Sequence, residues 1–104
     1  MIRAEFYRRH GKLTGFLISG HALFDEYGRD IVCASVTSAV QLTANGITEC
    51  AGGTADVSVR ENSIGLTLKK CDDISVCFLQ ALRLHLECLS QDYEKTIELI
   101  DLEV

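Results

Sequence analysis

The chain has 104 residues, 47% apolar and 24% charged, enough for one hydrophobic core and too few for two. Fifteen Asp and Glu against ten Lys and Arg leave a net charge of −5, without the basic face that a nucleic-acid binder needs to neutralise phosphates. A mean hydropathy of +0.14 in a chain without proline excludes a disordered, low-complexity tail.

Residues 2–8 put Ile2, Ala4 and Phe6 on one face and Arg3, Glu5 and Tyr7 on the other, a period of two that predicts a half-buried strand. This alternation also lacks the basic start and unbroken apolar run of a secretory signal. His10-Gly11-Lys12 predicts a short turn and Leu13–Ser19 a second strand, together a hairpin with its loop at 9–12. Gly20-His21-Ala22 and the polar segment Phe24–Arg29 read as a loop. Asp30 suits an N-cap, and no helix breaker follows before Gly46, which predicts a helix over 31–45. The uncharged run Ile31–Thr48 contains seven Ser, Thr, Gln or Asn among its eighteen residues, a poor membrane span. A helix this free of charge should have most of its circumference covered, by the sheet or by a second subunit.

Ala55, Val57 and Val59 alternate with Asp56, Ser58 and Arg60, and after Glu61-Asn62 the residues Ile64, Leu66 and Leu68 alternate in turn, predicting a second hairpin. Asp72-Asp73 should cap a second helix over 74–91, its buried stripe formed by Ile74, Phe78, Leu82 and Leu86 with Ala81 and Leu89. Ile100, Leu102 and Val104 predict a last strand. The order is ββαββαβ: a single α+β domain over 1–104, with a mostly antiparallel sheet and two main helices packed against it. Five cysteines (33, 50, 71, 77 and 88), odd in number and without a Cys-x-x-Cys pair, predict reduced thiols in a cytoplasm. Four of them should serve as small core hydrophobes.

The remaining signal is local. A histidine, His21, follows a strand, and a cysteine, Cys33, falls in the predicted first turn of the next helix. First-turn amides lack intrahelical acceptors and carry partial positive charge, which favours a thiolate. A neighbouring imidazole can take the thiol proton. The same amides can hold the oxyanion of a tetrahedral intermediate, worth ~3–4 kcal/mol of barrier. Alone, either residue has a plainer explanation: a turn histidine bonded to backbone, or a small filler under the sheet.

The string Gly20-His21-Ala22, a short polar loop, then Gly28-Arg29-Asp30-Ile31-Val32-Cys33-Ala34 resembles the signature of the ribosomal-processing cysteine protease family, Prp. Chain length, the ββα beginning and the acidic balance match the family too. The resemblance implies a cytoplasmic homodimer that removes the short N-terminal extension of large-subunit ribosomal protein L-twenty-seven, cutting after an aromatic residue. No cofactor or metal is expected, and, from the acidic balance and the polar residues of Ile31–Thr48, no direct nucleic-acid contact and no membrane. The resemblance places the dyad histidine on His21, the nucleophile on Cys33, the family aspartate on Asp30 and the glycine before the histidine on Gly20. The loop Leu23–Arg29 becomes a cover over substrate. The chain departs from the family pattern at Thr37, where a serine is expected one turn after the nucleophile; the hydroxyl survives.

Under this reading Cys33 attacks the scissile carbonyl and His21 protonates the leaving amine. Asp30 either caps the helix or orients the imidazole. Gly20 allows a sharp turn where a Cβ would crowd the site, and Gly28 is a loop hinge with positive φ. Phe24 and Tyr27 are candidates to line an aromatic pocket for the leader peptide. Two alternatives are a non-enzymatic interaction module with Cys33 in its core, and a zinc site on Cys33, His21 and a further cysteine. The second lacks the closely spaced ligand pair that structural zinc favours.

Overall fold

A computed structural model describes residues 1–20 and 27–104. Strands β1 (Ile2–Arg9) and β2 (Lys12–Ser19) form the predicted hairpin. Its turn residues His10 and Gly11 have φ of +52° and +80°, as a type I′ turn requires, and that turn matches the natural twist of the flanking strands. Opposite Tyr7 and Arg8 the pairing slips by one residue, so Thr14 is extra and Leu13 as well as Phe16 turns inward. Helix α1 (Tyr27–Asn45) follows, continued by a π-helical turn at Gly46–Cys50. The second hairpin is β3 (Ala55–Arg60) and β4 (Ser63–Leu68); then come α2 (Asp73–Asp92) and β5 (Ile97–Glu103).

The strands lie in the order β3-β4-β2-β1-β5, antiparallel throughout except for β5 beside β1. The α+β class and the ββαββαβ order therefore hold. Both helices contribute to a core against one face of the sheet. Ile2, Ala4 and Phe6 of β1, Phe16 and Ile18 of β2, and Leu66 of β4 meet Val32, Val36 and Val40 of α1 and Leu79, Leu82 and Leu86 of α2. The Phe6 and Phe16 rings sit 6.2 Å apart at the centre. On the rim, Arg83 of α2 forks onto Asp101 of β5 with bonds of 2.9 and 2.6 Å, and its third donor reaches Glu87 at 2.8 Å. The guanidinium holds the Asp101 carboxyl below its ordinary range.

Several local expectations give way. Helix α1 begins at Tyr27 rather than 31, so Gly28 is helical instead of a positive-φ hinge and Asp30 is the fourth helical residue instead of the cap. It also passes Asn45-Gly46 into the π turn, where Ala51 N–H donates to the Gly46 carbonyl at 2.8 Å. Gly46 serves packing there: a Cβ would stand 2.5 Å from the Phe78 ring. Asp72 does cap α2, accepting Ser75 N–H at 2.9 Å. The buried face of α2 is Ser75, Val76, Leu79, Leu82 and Leu86, leaving Ile74 and Ala81 exposed. Strand β5 starts three residues early, and its buried end is Ile97, with Leu102 and Val104 exposed. Cys50, Cys71, Cys77 and Cys88 are exposed rather than in the core. By length and composition alone, Ile31–Cys50 could cross a bilayer; 39% of its most apolar window is buried inside the fold, less cover than its lack of charge predicted.

Candidate active site

Two separate stretches of chain converge on one side of the sheet. Gly20 follows β2 with φ +83°, a conformation L side chains avoid, and its N–H donates to the Asn62 carbonyl in the β3–β4 turn at 3.0 Å. A Cβ at Gly20 would lie 2.7 Å from the Met1 carbonyl oxygen. The crowding expected here is thus real, but it comes from the backbone of Met1, just before β1. This fixed turn ends β2 immediately before His21 in the sequence.

Cys33 approaches from the helical side. It is half-buried on α1 and packs against the core. One turn further along α1 stands Thr37, exposed. Gly20, Cys33 and Thr37 line one cleft of about 460 Å³. Its far wall is Val57 and Val59 of β3 with the Asn62 turn. The alternating valines of β3 predicted only a strand; Val59 is 74% exposed and lines this cleft. Nothing in the local pattern of β3 distinguishes an uncovered edge strand from a covered one, so the sequence reading missed this wall. The signal available was the hairpin spacing, which brings Ser63 opposite Ser19 and so sets the Asn62 turn beside Gly20.

The helix start revises the electrostatics expected at the nucleophile. Cys33 is the seventh residue of α1, not a first-turn residue. Its own amide belongs to the helix interior, where N–H groups bond four residues back, and the macrodipole's influence is confined to the end turn. Helix-end activation of the thiol and an oxyanion site made from its own first-turn amides both fail on this placement. His21 and Phe24 lie outside the described residues. Tyr27, Gly28 and Asp30 lie on the first turn of α1, so the candidate cover loop is shorter than 23–29.

The family model "Cysteine protease Prp" matches residues 1–98 of the chain. The Ribosomal processing cysteine protease Prp of Staphylococcus aureus (strain Mu50 / ATCC 700699) is 28% identical over 92 residues, covering 86% of this chain and 87% of that protein. A crystal structure from Streptococcus mutans superposes with a TM-score of 0.90 at 25% identity, over 100% of this chain and 99% of the other. The structure of the essential ribosomal processing protease Prp from S. aureus, in complex with a covalently linked product peptide, superposes at 0.87 with 25% identity, over 97% and 99%.

Proposed function

The chain belongs to the Prp family of cysteine proteases and is a cysteine-type peptidase, and from that premise we propose that a Cys33/His21 dyad removes the N-terminal extension of ribosomal protein L-twenty-seven. One observation carries the reading. Gly20, the residue that launches the chain into His21, and Cys33, twelve residues beyond His21 on a different element, line the same cleft.

With helix-end activation removed, the imidazole does the work on the thiol. His21 takes the Cys33 proton, and the thiolate forms a bond to the scissile carbonyl carbon. As the tetrahedral intermediate collapses, the C–N bond breaks and the imidazolium returns its proton to the leaving amine. His21 then takes a proton from water, the hydroxide attacks the thioester, the C–S bond breaks to release the carboxylic acid, and the imidazolium returns its proton to the sulfur. The S. aureus relative's covalently linked product peptide supports a covalent route of this kind. Asp30 orients the imidazole, its capping role having gone with the earlier helix start. Thr37 sits one turn beyond the nucleophile, on the cleft wall. Phe24 and Tyr27 serve the aromatic residue of the leader. The enzyme works in the cytoplasm, as a homodimer, without cofactor.

The test is cleavage of the unprocessed ribosomal protein by the parent chain beside Cys33→Ala and His21→Ala. The parent should release the extension and both variants should be silent; a Cys33→Ala chain that still cleaves removes the proposal. Separately, the alkylation rate of Cys33 should follow one protonation near neutral pH that is lost in His21→Ala.

A further inference from the structure

The cleft that holds Cys33 has two unlike walls. On the α1 side, Cys33 is followed by Thr37, Gln41 and Asn45, exposed hydrogen-bonding side chains set four residues apart, and all of them line the cleft. Among the described residues none of these three makes a side-chain hydrogen bond. Thr43 and Thr48 of the same helical run behave differently, each bonding back to the carbonyl four residues earlier, at 2.8 and 3.0 Å. The opposite wall is apolar, built on the exposed side chains of Val57 and Val59.

The spacing of the polar row fits one kind of occupant. Four residues along an α-helix advance about 6 Å, and two residues along an extended chain advance about 6.6 Å. In an extended chain the N–H and C=O of one residue point to one side and those of the next residue to the other, so alternate residues present their main chain to the same wall. From Cys33 to Asn45 the helix advances about 18 Å, room for about five extended residues. Strand β3 runs back along this length. Just before it, Gly53 N–H donates to the Ile47 carbonyl beyond the end of α1 at 2.8 Å, and the turn after it accepts Gly20 N–H. Val57 therefore lies nearer the Asn45 end of the cleft and Val59 nearer the Cys33 end.

We propose that Thr37, Gln41 and Asn45 hold the main chain of an extended leader running from Cys33 along α1, while Val57 and Val59 receive its alternate side chains. Uncharged hydroxyl and amide groups suit this occupant, because a peptide main chain is neutral and offers donors and acceptors in turn. A charged row would select a charged side chain instead. One wall thus reads an uninterrupted extended backbone and the other reads apolar character at every second position. This deepens the peptidase reading above: it rests on Cys33 as the nucleophile and is independent of which protein carries the leader.

Two chloromethyl ketones test this, acetyl-Val-Ala-Val-Ala-Phe and acetyl-Phe, each of which traps a thiol as its carbon–sulfur bond forms and chloride leaves. Peptide mapping locates the modified cysteine. At Cys33 the long compound should react roughly tenfold faster than the short one, or more. At the exposed Cys50, Cys71, Cys77 and Cys88 length should bring no advantage. Thr37→Val, Gln41→Ala and Asn45→Ala should each reduce the advantage at Cys33 roughly fivefold, the size of one hydrogen bond. Thr37→Ser should keep it, and so should Gln80→Ala, which removes an exposed amide on α2. Replacing single amides of the long compound by esters deletes one N–H at a time and should slow the reaction at alternate positions only. No length advantage at Cys33, or one that the three variants leave intact, overturns the polar wall. Ester losses without alternation overturn the extended register. If neither compound modifies Cys33, the nucleophile assignment falls and this inference with it.

Discussion

Replacing Gly20 with alanine tests the turn that ends β2. Two costs arise at this position. The first is conformational: at φ +83° an L residue is disfavoured by roughly 1–2 kcal/mol, partly offset by the ~0.5 kcal/mol that a less flexible unfolded chain returns. The second is steric, since the new Cβ would stand 2.7 Å from the Met1 carbonyl oxygen. That carbonyl shares a peptide plane with the Ile2 N–H, which donates to the Thr96 carbonyl at 2.9 Å, so the oxygen cannot swing aside without loosening that bond. A weakened backbone bond adds about 1 kcal/mol, for a total near ~2 kcal/mol. Gly11→Ala is the internal control. Its φ is +80°, nearly the same, with nothing within 4 Å of the added methyl, so it should cost only the conformational part, about 1 kcal/mol. Urea unfolding of the two variants beside the parent measures the difference. For a domain of this size the Gly20 variant should also melt roughly 8–16 °C lower. Equal losses in the two variants, or a Gly20→Ala chain as stable as the parent, would refute the reasoning.

The Arg83–Asp101 fork gives a pH dependence with a definite sign. The Asp101 pKa is lowered by folding, so its contribution is present above the unfolded value of about 3.8 and is lost as pH falls through the lower folded value. Stability measured by urea should therefore drop below about pH 4, less steeply in Asp101→Asn. Because the Asp101 side chain is 38% exposed, the substitution should cost only about 1 kcal/mol at neutral pH. An identical acid limb in parent and variant would remove Asp101 from the account. Ser75 offers the opposite sign. Its buried Oγ has no hydrogen-bond partner among the described residues, so Ser75→Ala should stabilise the chain by about 0.5–1 kcal/mol, and a loss above about 1 kcal/mol would mean that the hydroxyl is satisfied.

Much of the sheet is written in short-range alternation. Ile2, Ala4 and Phe6 announce β1, and His10-Gly11 announces the turn, because a period of two and a left-handed dipeptide are local properties. The Asp72 cap is local in the same sense. What escaped depends on partners distant in the chain. Gly46 reads as a stop until Phe78 is known to fill the space beside it. The stripe of α2 was misplaced by its apolar residues, since Ile74 is as hydrophobic as Val76 and only the position of the sheet chooses between them. At the site, the residue types were legible from the motif around Gly20 and Cys33, and the cleft they share was not. Val57 and Val59 become a cleft wall only because, among the described residues, no helix covers that end of the sheet, and Cys33 leaves the first turn only because α1 begins at Tyr27.

That uncovered end has a dynamic consequence. Strand β3 is an edge strand, paired on one side only, and the hairpin it forms with β4 joins the rest of the sheet through β2. Its amides should exchange with deuterium sooner than those of β1, which is flanked on both sides. The bank formed by β3 is thus held to the sheet by β4 alone, while the bank carrying Cys33 packs against the core, so the two sides of the cleft differ in how readily they open.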